Sequence, residues 1–152
     1  MKSPLKWYGG KQKIASRILQ LFPAHRTYVE VFGGAGHLLL QKQPSKVEVF
    51  NDLDNDVVNL FRVLRDHKAA QRLAILLELT PYARAEHEHC RENAELESDP
   101  VERARMLLVR VRQSYNAIVD GSWRHGQVVG HLRPFYSAIA AIEPACSRLR
   151  DV

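Results

Sequence analysis

The stretch from Thr27 to Phe50 constrains the fold of this chain most. Residues 27–32 (TYVEVF) alternate and are rich in aromatic and β-branched side chains, the pattern of a strand. Gly33-Gly34-Ala35-Gly36 follows as a turn. His37 to Gln43 reads as a short helix stopped by Pro44, and residues 46–50 (KVEVF) as a second strand. Two strands joined through a helix run parallel, so this unit is the opening of an α/β sheet. Asn51 to Asp54 is a polar turn. A helix from about Asn55 to His67 carries Val57, Val58, Leu60, Phe61 and Leu64 at helical spacing. Ahead of the first strand, Gly9-Gly10 precede a helix over Lys11–Phe22, which Pro23 ends.

The rest of the chain is helical in pattern. Residues 68–79 have a leucine-rich face, and Thr80-Pro81 reads as a cap and first-turn pair for a polar helix over Tyr82–Glu97. Ser98-Asp99-Pro100 starts another helix, Val101 to about Tyr115. Residues 116–133 hold three glycines and read as a loop or irregular hairpin, and Pro134 to Leu149 as a last helix. No third strand precedes Val152. A two-stranded parallel sheet is too small to cover two helix layers. The expected fold is therefore α/β, a partial Rossmann-like sheet with two parallel strands, the front part of a larger design.

Composition narrows the function classes. The chain has 152 residues, 45% hydrophobic and 26% charged, which fits one globular domain and excludes a disordered tail or a collagen-like fibre. No apolar run is long enough to span a bilayer, and no apolar segment follows the N-terminal lysine, so neither a membrane span nor a signal peptide is expected. Cys90 and Cys146 lie far apart and outside any CxxC pattern, which fits free thiols in a reducing cytoplasm. The net charge of +5 is uneven: residues 1–50 carry a balance of +6, residues 51–99 of −5 and residues 100–133 of +4. Two basic blocks around an acidic middle suit a polyanion met from two parts of the chain.

Three local patterns carry chemistry. The glycine turn after the first strand lets a ligand approach the backbone, although Leu39 stands where a GxGxxG motif has its last glycine, and no Walker lysine follows. Asp52 lies at the end of the second strand, sixteen residues after Gly36, where an acid of a doubly wound fold accepts ribose hydroxyls. Asp54 and Asp56 are rivals, and helix capping by Asp52 or Asp54 needs no ligand. A calcium loop over Asp52-x-Asp54-x-Asp56 fails, because Val57 and Val63 occupy its glycine and glutamate positions. His87-x-His89-Cys90 fails as a metal site on a helix, where residues two apart face differently. The third pattern is Lys6-Trp7-Tyr8-Gly9-Gly10-Lys11, an aromatic pair, two glycines and a lysine.

Together KWYGGK, EVFGGAG and FNDLDNDVVNLF resemble the opening motifs of the DNA adenine methylase (Dam) family, closely over residues 4–66. The resemblance implies S-adenosyl-L-methionine as cofactor, double-stranded DNA as partner and adenine N6 as methyl acceptor. By position it implies that Trp7 or Tyr8 lines the adenosyl pocket and that Lys11 meets the methionine carboxylate. Glu30, Phe32, Gly33, Gly34 and Gly36 would wrap the methionine end, and Asp52 would hold the ribose diol. Residues 112–117 (RQSYNA) with Gly121-Ser122-Trp123 resemble the family's DNA-recognition hairpin, which gives Arg110, Arg112, Tyr115, Asn116 and Arg124 as DNA contacts. Ala117 replaces the glycine of the family's Tyr-Asn-Gly, and Asp120 stands where a basic residue is frequent. On this reading residues 1–67 bind cofactor, 68–134 form a helical target-recognition insertion, and 135–152 return toward a catalytic half.

The family's Asp-Pro-Pro-Tyr, which positions the flipped adenine, is not found: no two of the seven prolines are adjacent, and Asp99-Pro100 is followed by Val101. The expectation is an adenine-specific methyltransferase of restriction-modification type that is truncated and inactive alone, with a non-catalytic cofactor- or DNA-binding remnant as the alternative. A complementing chain carrying the catalytic half is the further partner this implies. A dehydrogenase half is disfavoured by the absent third glycine and the aromatic-GGK start.

Overall fold

The computed structural model describes residues 1–125 and 133–152. Strands β1 (Thr27–Glu30) and β2 (Val47–Phe50) pair in parallel with Thr27 opposite Val47 and Glu30 opposite Phe50. The crossover between them is α2 (His37–Gln41). The pairing continues past the strand ends: Asn51 N–H donates to Glu30 O, and Gly33 N–H to Asn51 O, each at 2.9 Å. The two loops that follow the strands are thereby stitched side by side.

The helices are α1 (Ala15–Gln20), α3 (Asn55–Arg65), α4 (His67–Glu78), α5 (Arg84–Asn93), α6 (Pro100–Arg112), α7 (Arg133–Ile139) and α8 (Ile142–Leu149). Their starts are legible in local chemistry. Asp54 caps α3 by accepting from the Asp56 and Val57 amides at 2.8 and 3.2 Å, Asp66 caps α4 through Ala69, and Asp99 caps α6 through Val101 with Pro100 in the first turn. Helices α3, α4 and α6 pack on one another, and α8 closes against α3 and α4. One core runs through the whole chain, from Leu5 through Leu39, Leu60, Leu64, Leu73 and Leu107 to Leu149, so residues 1–67, 68–134 and 135–152 share it.

Several expected elements differ. The first helix is split into a 3-10 turn (Lys11–Lys13) and α1, because Ile14 sits between them off regular helical geometry (φ −111°, ψ −4°). Thr80 does not cap the next helix: its hydroxyl donates back to Leu76 O at 2.7 Å and closes α4, while α5 starts after Ala83 with no side-chain cap. The last helix is two, α7 and α8, broken at Ala140-Ala141. Of the expected loop over 116–133, residues 126–132 lie outside the described residues. The rest begins as a small hairpin: Ser114 bridges Trp123 antiparallel, Tyr115 N–H donates to Ser122 O and Arg124 N–H to Gln113 O.

The sheet has an unusual pair of faces. Tyr28, Glu30, Glu48 and Phe50 point to the helices, while Val29, Val31, Val47 and Val49 face outward and are 43–49% exposed. The polar side is paired internally. Glu48 takes Lys42 Nζ at 2.5 Å and Arg148 at 2.6 Å, with all three side chains at most 10% exposed. Burial pushes the Glu48 carboxyl up, but Arg148, Lys42 and the Ser45 amide outweigh it and hold it below its ordinary value. This cluster fastens α8 to β2.

Candidate functional site

The loops after β1 and β2 meet at one point. Gly34 N–H donates to Asp52 Oδ2 at 2.6 Å, and the other carboxylate oxygen of Asp52 accepts from Asp54 N–H at 3.0 Å. Asp54 performs the helix capping, so Asp52 is left to hold the corner between the strands. Beside this contact lies a cavity of about 140 Å³, walled by Trp7, Gly9, Gly10, Lys11, Phe32, Gly33, Gly34, Ala35, His37 and Asp52. It sits at the carboxyl ends of parallel strands, where ligands of open α/β sheets bind.

The structure brings most of the expected cofactor residues to this cavity and separates the others. Trp7 lies on its wall while the Tyr8 side chain is exposed. Lys11, Phe32, Gly33, Gly34 and Asp52 line it. Glu30 is instead buried beneath α2, where Oε2 accepts from Leu39 N–H at 2.8 Å and Oε1 has no partner. Burial pushes the Glu30 carboxyl up, against the lowering effect of the Leu39 amide and of Lys11. Gly36 is off the wall as well, and its lack of a side chain has a packing reason: a Cβ there would stand 2.6 Å from Phe61 Cζ. Gly33 is alike, since a Cβ would meet Phe50 Cε2 at 2.1 Å. The close approach that requires these two glycines is to aromatic rings in the core.

Gly9, Gly10 and Ala35, inside the expected motifs, complete the wall, and sequence reasoning missed His37. The signal for His37 is faint, a lone polar residue inside the run His37-Leu38-Leu39-Leu40. The exposed Leu53, which follows Asp52, was missed too; with Phe32 it leaves large apolar groups beside the corner mostly uncovered (95% and 80% exposed).

The five expected DNA contacts divide. Tyr115, Asn116 and Arg124 line a surface cleft of about 530 Å³ with Ser122, Trp123 and His125. Asn116, Ala117 and Asp120 all have positive φ (56°, 57° and 62°), a conformation L-residues rarely adopt, and the chain there holds Tyr115 outward. Arg110 and Arg112 turn inward, against the expectation that they face a polyanion. Arg110 grips Asp120 through two nitrogens and reaches Asp56 at 3.2 Å. Arg112 donates to Ser3 O at 3.2 Å and to Pro4 O, and burial pushes its guanidinium down to about 10. Arg112 is drawn in to the carbonyls of the buried Ser3 and Pro4, which need donors, whereas Arg110 is held by the carboxylates of Asp120 and Asp56.

A larger cavity, about 600 Å³, lies between α4 and α7–α8, lined by Ala70, Ala74, Ile75, Ile139, Ile142 and Cys146 among others. Its polar groups, such as His67, Glu78 and Glu143, are not brought together there as Gly34 and Asp52 are. Among the described residues no cluster of three metal-ligating side chains occurs, and no helix is long and apolar enough to cross a membrane.

Comparison with known proteins places the chain in a family. Residues 63 long in "Modification methylase StsI" of Streptococcus sanguinis are 36% identical to this chain, a match covering 41% of the chain and 10% of that protein. The "DNA adenine methylase" of Escherichia coli (strain K12) is 27% identical over 117 residues, 75% of the chain and 41% of the relative. That of Salmonella typhi is 27% identical over the same length and shares. The chain thus spans well under two thirds of the relatives it matches. The family model for the D12 class N6 adenine-specific DNA methyltransferases matches residues 7–119, which takes in the aromatic-GGK segment, the glycine corner, Asp52, α6 and Tyr115-Asn116. The chain belongs to the D12 class N6 adenine-specific DNA methyltransferase family.

Proposed function

We propose that this chain holds S-adenosyl-L-methionine at the glycine corner, as the donor-binding part of an enzyme that methylates adenine N6 in double-stranded DNA. The observation that carries the reading is the 2.6 Å contact between Gly34 and Asp52 on the wall of one cavity. The residues present fit the cofactor. Asp52 offers a carboxylate to the ribose diol, Lys11 a cation to the methionine carboxylate, and Trp7, Phe32 and Leu53 apolar surface to the adenine. At about 140 Å³ the cavity takes the polar middle of the molecule, and the base lies over the exposed side chains at the rim. When bound, the cofactor supplies an electrophilic methyl on a sulfonium.

On the DNA side, Tyr115, Asn116 and Arg124 meet the duplex, Asn116 through its bidentate amide. Arg110 and Arg112 shape that surface from behind through Asp56, Asp120 and the N-terminal carbonyls. The residues that hold the acceptor base are assigned to polypeptide outside these 152 residues, in the same protein or in a complementing chain, because no Asp-Pro-Pro-Tyr is present here. The outward valines of the sheet are the surface against which such a part would pack. The same absence is what favours the second reading, a remnant that binds without methylating. Methyl incorporation into DNA by residues 1–152 alone contradicts this division of labour.

The direct test is calorimetric titration of the chain with S-adenosyl-L-methionine, native against Asp52→Ala. Loss of a charged acceptor shared by two hydroxyls weakens binding by about 1.5–3 kcal/mol. Equal affinity refutes the ribose assignment. The cytoplasm is the compartment proposed, where Cys90 and Cys146 remain the free, buried thiols they are here.

A further inference from the structure

His37 is the first residue of α2 and a wall residue of the same cavity. It is only 6% exposed, and its Nδ1 is buried with no hydrogen-bond partner. An unpartnered buried ring nitrogen costs free energy that a ligand can recover. The other edge of the ring packs against Gly10: a Cβ at Gly10 would stand 3.2 Å from both Nε2 and Cδ2, so the glycine is what lets the imidazole lie on the cavity wall. Lys11 and Arg112 bring positive charge toward the ring, and burial together with these two cations keeps the imidazole neutral. A neutral imidazole carries one N–H donor and one acceptor. A donor in a cationic surrounding, on the wall of a cavity, selects an anionic acceptor of small size.

We propose that His37 is a cofactor-binding residue that donates to the carboxylate of the amino-acid end of S-adenosyl-L-methionine, alongside Lys11. This rests on the cofactor reading above and adds to it the residue that distinguishes the amino-acid end from the nucleoside end. Asp52 grips the ribose, and His37 with Lys11 grips the carboxylate. The nucleoside by itself then occupies the site without engaging His37.

The experiment is titration calorimetry of the full chain with two ligands, S-adenosyl-L-methionine and 5′-methylthioadenosine, which keeps the nucleoside and sulfur but lacks the amino-acid end. His37→Phe retains a ring and removes both nitrogens. His37→Asn restores an N–H donor at the Nδ1 position, and Asp52→Ala serves as the control. His37→Phe is expected to weaken S-adenosyl-L-methionine by about tenfold or more while leaving methylthioadenosine within about twofold. His37→Asn recovers most of the loss, and Asp52→Ala weakens both ligands. If His37→Phe does not fold, His37→Leu gives the same contrast. Equal loss for both ligands, no loss for either, or no recovery by His37→Asn overturns the role of His37 while leaving the cofactor reading intact. A native chain that binds neither ligand, or an Asp52→Ala chain that binds both as well as native, overturns the cofactor reading and this proposal with it.

Discussion

Gly36→Ala isolates what the glycine corner is for. Gly36 has φ +63°, and an L-residue held in that region costs about 1–2 kcal/mol. The added Cβ would stand 2.6 Å from Phe61 Cζ and 2.9 Å from Cε1. Phe61 cannot swing away, because it is buried and stacked on Phe50 with ring centroids 3.9 Å apart and planes 17° apart. Overpacking of this kind adds about 1–3 kcal/mol, so the substitution is expected to cost about 2–5 kcal/mol in all. Urea denaturation at 25 °C measures it, in a cycle with Phe61→Leu. Leucine withdraws the atoms that clash and leaves the backbone term, so the double variant should be about 1–3 kcal/mol more stable than the two single losses predict. Additive losses, or a single loss below about 1 kcal/mol, refute the claim that Phe61 dictates this glycine.

Glu48→Gln removes the shared partner of two buried cations and should destabilise the chain by about 3–5 kcal/mol in the same assay; a loss under 1 kcal/mol contradicts the cluster's role. The native Glu48 carboxyl is held below its ordinary value of 4.5, so its contribution is present above that pH and is lost as the pH falls through the lower folded value. His37 and His87 are both lowered from 6.5, chiefly by burial. Their contribution is complete above pH 6.5 and declines below it, so the melting temperature should drop between pH 7.5 and 5, and His37→Asn should drop less; equal drops refute this for His37. Ala117→Gly should stabilise by about 0.5–1 kcal/mol in thermal melts, since glycine adopts the +57° φ of Ala117 without a steric cost; a destabilised variant shows that the loop is held by something other than backbone preference.

The parallel pair and the place of Asp52 were legible because each rests on a local rule. Alternation in 27–32 and 46–50 fixes the strands, and an intervening helix fixes their direction. The breaks at Ile14 and Ala140-Ala141 were not legible, since no proline or glycine marks them and tertiary packing decides. The Gly33 and Gly36 signal was read as close approach of a ligand, and the structure adds a second neighbour, since a Cβ at either would meet a core ring. A glycine's sequence context does not say whether a ligand or a phenylalanine stands opposite, and here Phe50 and Phe61 come from β2 and α3. Arg110 and Arg112 show the same limit for charge. The surplus of arginine in 100–133 suggested an outward basic face, but a guanidinium's direction depends on acceptors distant in sequence, Asp56 for one and the Ser3 and Pro4 carbonyls for the other.

Arg112 also joins the two halves of the proposed chemistry. It ends α6, two residues before Ser114 enters the hairpin, and its guanidinium holds the backbone of Ser3 and Pro4. Leu5, next in sequence, is buried, and Trp7 beyond it walls the cavity. The segment proposed to cover the cofactor is therefore anchored on the helix that leads into Tyr115 and Asn116. Arg112→Gln leaves buried carbonyls short of donors, a loss of about 1–3 kcal/mol falling on this one attachment. Amide hydrogen exchange of residues 3–10 should quicken, and S-adenosyl-L-methionine should bind more weakly as Trp7 loosens. Arg112→Lys, which keeps the charge but not the planar fork, should recover only part of the protection. Unchanged exchange at Leu5 and Trp7 in Arg112→Gln means that the N-terminal segment is held by the burial of Leu5 alone, and that the hairpin and the cavity wall are not mechanically joined.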